Sequence, residues 1–557
     1  MKRTLSLSLL ILVIFTIFLN SCAPQAVVSE TATPVASPTA TVEPAPVLWV
    51  SPEVPASLQN EIQSSQVLQG SANEAAANLE LTLAASGSLE GSLGQIEWVY
   101  ALVAPFPTVT DNVSLETLKA AWLGTLPEDG SFEKLQVSSE TKAIFDALWG
   151  IASTDTVTVV DASALETNDF QSLKTWAIVP FDALTPRWKV IQLDGLSPLD
   201  KPLDVQNYPL KADFVFQSAR QDAVVQQAVT ALLAQVPATN RDESKMTVLM
   251  MTGTTALVRA IAYKMEIKSL DYPIEKVKDW FKNADLIHVS NEVSFNEDCP
   301  FPDYAQVGLR FCSAPKYLQT LQDLGVNVVE LTGNHENDYG SQYLDSTIDT
   351  YKALGWYTFG GGKTEDEAKA PVKIEVNGNK IAFIGCNPEG PSTDWATDSS
   401  AGSAECDMDY YNKTISELKA EGYVVVATFQ QFEVYTYLYG DQIASDFRNA
   451  AAAGADIVSG SQSHYAMGFQ FEGNSLIHYG PGNFLFDMMT YEGVGDDIRR
   501  EFIDKHVIYD GKYISTQLYT AYLVDWAQPT PMTTDQRADF LSKVFSGSIW
   551  SEKNENH

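Results

Sequence analysis

The chain is 557 residues long and carries a formal net charge of −35 at pH 7. That charge argues against nucleic acid or an anionic membrane surface as a general partner, and it disfavours loose electrostatic capture of a polyanion. The length is too great for one hydrophobic core, so at least two domains are expected.

At the start, Lys2-Arg3 supply positive charge and Leu5 to Leu19 form an apolar run. The run is too short and wrongly flanked for a membrane span. Leu19-Asn20-Ser21-Cys22 resembles the bacterial lipobox, so 1–22 reads as a lipoprotein signal peptide. The resemblance implies that Cys22 becomes the lipidated first residue of an extracytoplasmic protein. One lipid would tether the chain to a bacterial membrane without spanning it. An ordinary cleaved signal peptide with an incidental cysteine is the alternative. From 23 to 46 the sequence is Thr, Pro, Ala, Val and Glu, which cannot bury a core and reads as an extended linker.

Residues 47–237 alternate short strands with helical stretches. Val47-Leu-Trp-Val50 opens a strand and Pro55 to Gln66 reads helical. Trp98 to Pro107 is a buried strand ending in prolines. Ser114 to Gly124 follows as a helix, with Ser114 as its cap, Glu116 early and Gly124 at its end. Thr175 to Leu184 and Trp188 to Leu193 read as further strands, which together describe an α/β domain. The phrase Ala104-Pro105-Phe106-Pro107, with Trp122-Leu123-Gly124 after it, resembles type II periplasmic solute-binding domains. That implies capture of a small solute, or an accessory domain that kept the fold and lost the ligand.

Residues 244–545 repeat one theme, an apolar strand ending in a polar loop. Ser244 to Thr255 is a buried strand ending at Gly253, followed by a helix through Tyr263. Ala284 to Ser294 and Val328 to Gly340 follow, then Lys380 to Asn387, Tyr423 to Gln431, Ala455 to His464 and Ser475 to Asp487. Strands of this kind separated by helices describe a layered α/β sandwich with its site at one rim.

Three ordered motifs carry a resemblance to the CapA-type family of capsule-synthesis, or poly-γ-glutamate-biosynthesis, proteins. They are Gly333-Asn334-His335-x-x-Asp338-x-Gly340, Gly454-Ala-Asp-Ile-Val-x-Gly460 and Gly482-Asn-Phe-x-Phe-Asp487. The resemblance implies a four-layer α/β sandwich of metallophosphatase (calcineurin-like) type. It also implies an envelope role in polymer synthesis, export or anchoring.

The family's metal ligands transfer unevenly. Its Gly-Asp is Gly253-Thr254 here, and its Asn-Leu-Glu is Ser290-Asn291-Glu292, which keeps only the glutamate. Asn334 and His335 are intact. The strand that delivers a histidine ends in Phe429-Gln430-Gln431, and Gly-His-x-x-His reads Gly460-Ser461-Gln462-Ser463-His464. A two-metal hydrolase needs a bridging carboxylate and several imidazoles to hold two cations about 4 Å apart. What remains is Glu292, Asn334, His335 and His464, with Gln462, Gln430 or Gln431 as extras. Such a set suits a single zinc or manganese ion, with His335 and His464 activating water and Asn334 orienting the substrate for phosphoester or amide hydrolysis. It suits equally an ion-free pocket that hydrogen-bonds an envelope polymer or a small solute.

Besides Cys22, four cysteines remain, an even count that suggests two disulfides outside the cytoplasm. Cys299–Cys312 and Cys386–Cys406 are the simplest pairing, and the absence of a Cys-x-x-Cys pair counts against a zinc site. His288 and His478 read as satisfied core or rim residues, and His506 as a locally paired one. Asp338 is expected to cap the helix after the turn, and Asp487 to be structural in the same way. Ser461, His464 and Asp456 form a triad on paper only, with no nucleophile-elbow context.

Overall fold

The computed structural model describes residues 45–550 apart from 85–88, 90, 167–169, 221 and 491–492. The signal segment and Cys22 lie outside the described residues, as does nearly all of the linker. Among the described residues no helix is long and apolar enough to cross a membrane.

The first sheet is built on Gly94–Pro105, whose residues from Trp98 onward are all buried. It pairs antiparallel with Lys211–Gln217, Thr175–Pro180 and Trp188–Leu193. Continuous burial is what an apolar strand covered on both faces requires. Helix Leu115–Trp122 starts where expected, with Ser114 Oγ accepting from Thr117 N. Asp222 and Ser138 cap two further helices, Ala223–Leu233 and Ser139–Trp149, in the same way. This part is mixed α/β, as the sequence reading requires.

The second part holds two sheets face to face. One runs Tyr357–Phe359, Val328–Glu330, Leu286–Asn291, Met246–Thr255, Arg500–Tyr509, Lys512–Val524 and Gln528–Pro531, parallel over its first four strands and antiparallel after. The other runs Val372–Val376, Asn379–Cys386, Val424–Gln430, Ile457–Ser461, Ser475–His478 and Phe469–Glu472. Period-two alternation sorts their side chains into layers. Val248 and Met250 pack outward with residues of helices Arg259–Ile267, Leu318–Leu324 and Ser341–Ala353. Leu249 and Met251 point inward, to a core shared with Val424 and Val426. Val425, Ala427 and Phe429 face helices Met408–Ala420 and Asp441–Ala453 on the far side. Helix, sheet, sheet, helix is the four-layer sandwich expected.

Two details differ from the sequence reading. Met246–Thr255 runs two residues past Gly253, because Asn483–Leu485 adds alongside it. Gly253 allows this: a Cβ there would lie 1.9 Å from the Gly482 carbonyl oxygen. The first core also takes in residues of the second part. Met246, Val507, Tyr509 and Ile514 join it, and Phe106 packs edge-on against Phe469 and Phe471 at 5.5 and 5.2 Å. The described residues from Pro46 onward therefore form one compact unit. Both disulfides form as the spacing suggested, Cys299–Cys312 and Cys386–Cys406.

Candidate functional site

The carboxyl ends of Met246–Thr255, Leu286–Asn291, Val328–Glu330, Val424–Gln430 and Ile457–Ser461 deliver the polar residues. Parallel strands bring such ends to one rim, where α/β sheets place their sites. Glu292 follows its strand directly, and its backbone N–H donates to Thr255 O at 2.9 Å. Gly333 sits above it: a Cβ there would be 2.6 Å from Glu292 Cα, so only glycine lets the Gly333-Asn334-His335 turn close over the carboxylate.

Gln430 links the two. Its side-chain amide donates to Glu292 Oε1 at 3.0 Å and to Asn334 Oδ1 at 3.3 Å. Ser461 Oγ donates to Gln430 Oε1 at 2.6 Å, which fixes which way the amide faces. Glu292, Gln430 and Ser461 are all buried. Thr254, at the family's aspartate position, accepts the Gln462 N–H at 3.0 Å and has become a backbone tie.

His335 is held through Nδ1, 2.8 Å from Asp338 Oδ2. Burial pulls its pKa down, but the Asp338 hydrogen bond and the charges of Glu292, Asp338 and Asp394 hold it above the ordinary value. Asp338 is therefore not the helix cap expected. Its carboxylate faces back to His335 and also accepts Phe311 N at 2.7 Å, while Gly340 stands at the helix start with no side-chain cap. Asp394 comes from a distant loop, accepts Asn337 N at 3.1 Å and is pushed up by burial to about 7.

His464 sits in a turn where Gln462 and His464 both adopt left-handed backbone, φ 61° and 51°. Non-glycine residues hold that geometry only where surroundings impose it. His464 Nδ1 lies 2.8 Å from Asn483 Oδ1, and Gln462 Oε1 is buried without a partner. Asp487 is structural as expected: it accepts Ala260 N at 2.9 Å, at the start of Arg259–Ile267, and pairs with Arg259. His288 and His478 are buried core residues, paired with Glu330 and Asp504. Asp456 binds Lys419 while Ser461 binds Gln430, so no Ser461–His464–Asp456 triad assembles.

The donor set fits one divalent ion in kind but is closed by neutral donors. Both histidines engage Nδ1 and leave Nε2 for a ligand, whereas Glu292 Oε1 and Asn334 Oδ1 already accept from Gln430. Among the described residues no three His, Cys, Asp or Glu side chains are placed to hold a metal together. Arg259, Asp394, Phe311 and Phe486 escaped the sequence reading. Phe486 lies inside a recognised motif and Phe311 beside Cys312, while Asp394 carries no local signal.

A second hollow, of about 240 Å³, lies beside Phe106. Asp111, from the first part, accepts both Arg537 and Lys189 there. Burial lowers Lys189 to about 8, whereas the Arg537 hydrogen bond overcomes burial and lowers Asp111 to about 2.

The four-layer sandwich, with its polar residues at the strand ends, is the fold expected of the metallophosphatase-like class. Residues 248–488 match the family described as "Bacterial capsule synthesis protein PGA_cap". Over 259 residues, 46% of this chain and 63% of the relative, it is 26% identical to "Capsule biosynthesis protein CapA" of Bacillus anthracis. It is 24% identical over 238 residues, 42% of this chain, to "PGA biosynthesis protein CapA" of Bacillus subtilis (strain 168), covering 62% of that protein. The chain thus spans less than two thirds of these curated relatives. Among solved structures it is similar to a 5'-nucleotidase precursor from Thermus thermophilus (TM-score 0.30, 15% identity, 53% of this chain and 58% of that one). It is also similar to an ABC-type phosphate transport receptor from Vibrio cholerae (TM-score 0.27, 13% identity, 34% and 93%).

Proposed function

We propose that this chain is an extracytoplasmic envelope protein, tethered through a lipid on Cys22, that serves synthesis, export or anchoring of a capsule or poly-γ-glutamate-type polymer. The family match and the two CapA relatives support that role. In this reading the rim of the sandwich recognises an envelope polymer or solute through neutral hydrogen bonds. One observation carries it: the Gln430 amide, locked by Ser461, donates to both Glu292 and Asn334. Those are the oxygens a cation would need, and an amide N–H satisfies them without charge.

A second reading, hydrolysis supported by one zinc or manganese ion, rests on the free Nε2 atoms of His335 and His464 and on the orphaned Gln462 Oε1. Glu292, Asn334, His335, His464 and Gln462 would hold the ion, once Gln430 turned aside. A bound cation lowers the pKa of water and supplies hydroxide near neutral pH. His335 would keep its orientation through Asp338, and His464 through Asn483.

Elemental analysis of the purified protein decides between them, with His335→Ala and His464→Ala as controls. The recognition reading expects sub-stoichiometric metal that neither substitution changes. Stoichiometric metal, with phosphoesterase activity lost in both variants, would overturn it.

A further inference from the structure

The loop closed by Cys299–Cys312 carries aromatic rings into solvent. Phe301 is 66% exposed and Tyr304 42%. Tyr263, on helix Arg259–Ile267, meets Phe301 at 6.3 Å and Tyr304 at 5.7 Å, both edge-to-face, and Tyr304 meets Trp526 at 5.5 Å. Exposed rings clustered like this mark a binding surface.

Trp526 is presented at a conformational cost. It and Asp525 both adopt left-handed backbone, φ 67° and 50°, which is rare for a bulky side chain. Asp525 holds the turn in place, accepting from Lys264 at 2.5 Å, Lys268 at 2.6 Å and Tyr272 at 2.7 Å. Strain of this kind persists where the surroundings over-determine it, often at ligand sites.

Three of these rings, Tyr263, Phe301 and Tyr304, line an open hollow of about 650 Å³ with Lys264, Pro302 and Asp303, and Trp526 lies beside it against Tyr304. That volume is within the roughly 300–1,000 Å³ of ligand sites. Lys264 is already paired with Asp525, so the lining holds no surplus cation. A wall of tilted rings with a few polar groups suits ligands that offer C–H faces and hydroxyls together. A polyanion would meet both the chain's net charge of −35 and that lack of a free cation. A smaller hollow of about 180 Å³ shares Phe301, Pro302 and Asp303 and reaches Phe311, whose ring meets His335 at 4.6 Å. The surface is thus continuous with the candidate site.

We propose that this hollow binds an uncharged saccharide chain, with Phe301, Tyr304 and Trp526 stacking on sugar faces and Lys264 and Asp303 meeting hydroxyls. This goes beyond the role proposed above and needs neither a metal nor hydrolysis.

The test is calorimetric titration of the intact chain with chitohexaose, cellohexaose and mannohexaose, beside an oligogalacturonate and vesicles of phosphatidylethanolamine and phosphatidylglycerol. At least one neutral hexasaccharide binds saturably. The affinity falls about tenfold or more in Phe301→Ala/Tyr304→Ala and in Trp526→Asn, since each stacked ring contributes of that order. Asparagine tolerates the left-handed turn, so Trp526→Asn preserves the fold, and unchanged melting temperatures confirm it. Binding here is read without metal or turnover, which separates this proposal from any failure of the role at the His335 rim. Three outcomes overturn it: no neutral hexasaccharide binds, the ring variants bind equally well, or only the oligogalacturonate or the vesicles bind.

Discussion

Arg259 and Asp487 are paired across the rim of the site, and the pair anchors both candidate histidines. The Arg259 guanidinium lies 4.9 Å from the Phe311 ring and 5.2 Å from the Phe486 ring. Phe311 meets His335 edge-on at 4.6 Å, and Phe486 stacks on His464 at 4.3 Å. One cation between two rings thus sets the separation of the imidazoles. Arg259→Gln leaves the buried Asp487 carboxylate without its charge partner and loses the stacking. It is expected to cost about 3 kcal/mol in urea denaturation. Asp487→Asn costs less, because the amide oxygen still accepts the Ala260 N–H. Equal losses for both would show that the ion pair, not the stacking on the rings, carries the effect.

Gln430→Ala strips a donor from Glu292 and Asn334 together and leaves Ser461 without its acceptor. Unpaired buried polar groups cost about 1–3 kcal/mol each, so the variant is expected to lose at least about 2 kcal/mol in a chelator-treated sample. Zinc should then restore part of the loss, since a cation now finds the freed oxygens. Gln430→His should raise zinc retention outright by adding an imidazole. Thermal melts with and without zinc give both answers, and no zinc response in either variant would mean that the oxygens do not converge.

Much of the scaffold was legible because it is written locally. The apolar strands, the Ser114 cap and the close cysteine spacings each depend on neighbours in sequence, and each took the expected form. The state of the site depended on side chains that meet only after folding. Asp338 looked like a helix cap because it precedes a helix, yet the half-buried His335 and the Phe311 N–H compete for its carboxylate and win. Gln430 was read as a weak ligand, and nothing in its strand indicated that Ser461, from the next strand, would turn its amide toward Glu292. Arg259 and Asp394 were invisible for the same reason: their partners lie far along the chain.

Gly333 carries a sharper expectation than its motif implies. An alanine Cβ would fall 2.6 Å from Glu292 Cα, which is backbone and cannot swing aside. Gly333→Ala must therefore push the Asn334–His335 turn away from Glu292. A loss of about 2–3 kcal/mol is expected, as for an overpacked core position. Gly355→Ala is the contrast: nothing lies within 4 Å of the added Cβ, but φ is +77°, so only backbone strain remains, about 1 kcal/mol. If the two glycines proved equally tolerant, close approach at the site would not be what Gly333 provides.

Acid should weaken the fold through His506. The ring is fully buried between the sheets, 2.7 Å from Thr516 Oγ1 through Nδ1. Burial lowers its pKa to about 4, with a smaller opposing contribution from Asp504 and smaller contributions in the same direction from the neighbouring His478 and His288. The unfolded chain titrates near 6.5, so between about pH 6.5 and 4 it binds a proton that the folded chain refuses. Stability is therefore intact above about pH 6.5 and falls as pH drops to about 4, by about 3 kcal/mol from this group alone. His506→Gln removes the titration, and the slope of unfolding free energy against pH in that window should flatten by about one proton. Urea midpoints taken across the window measure it. A slope unchanged in His506→Gln would mean that the acid sensitivity resides elsewhere.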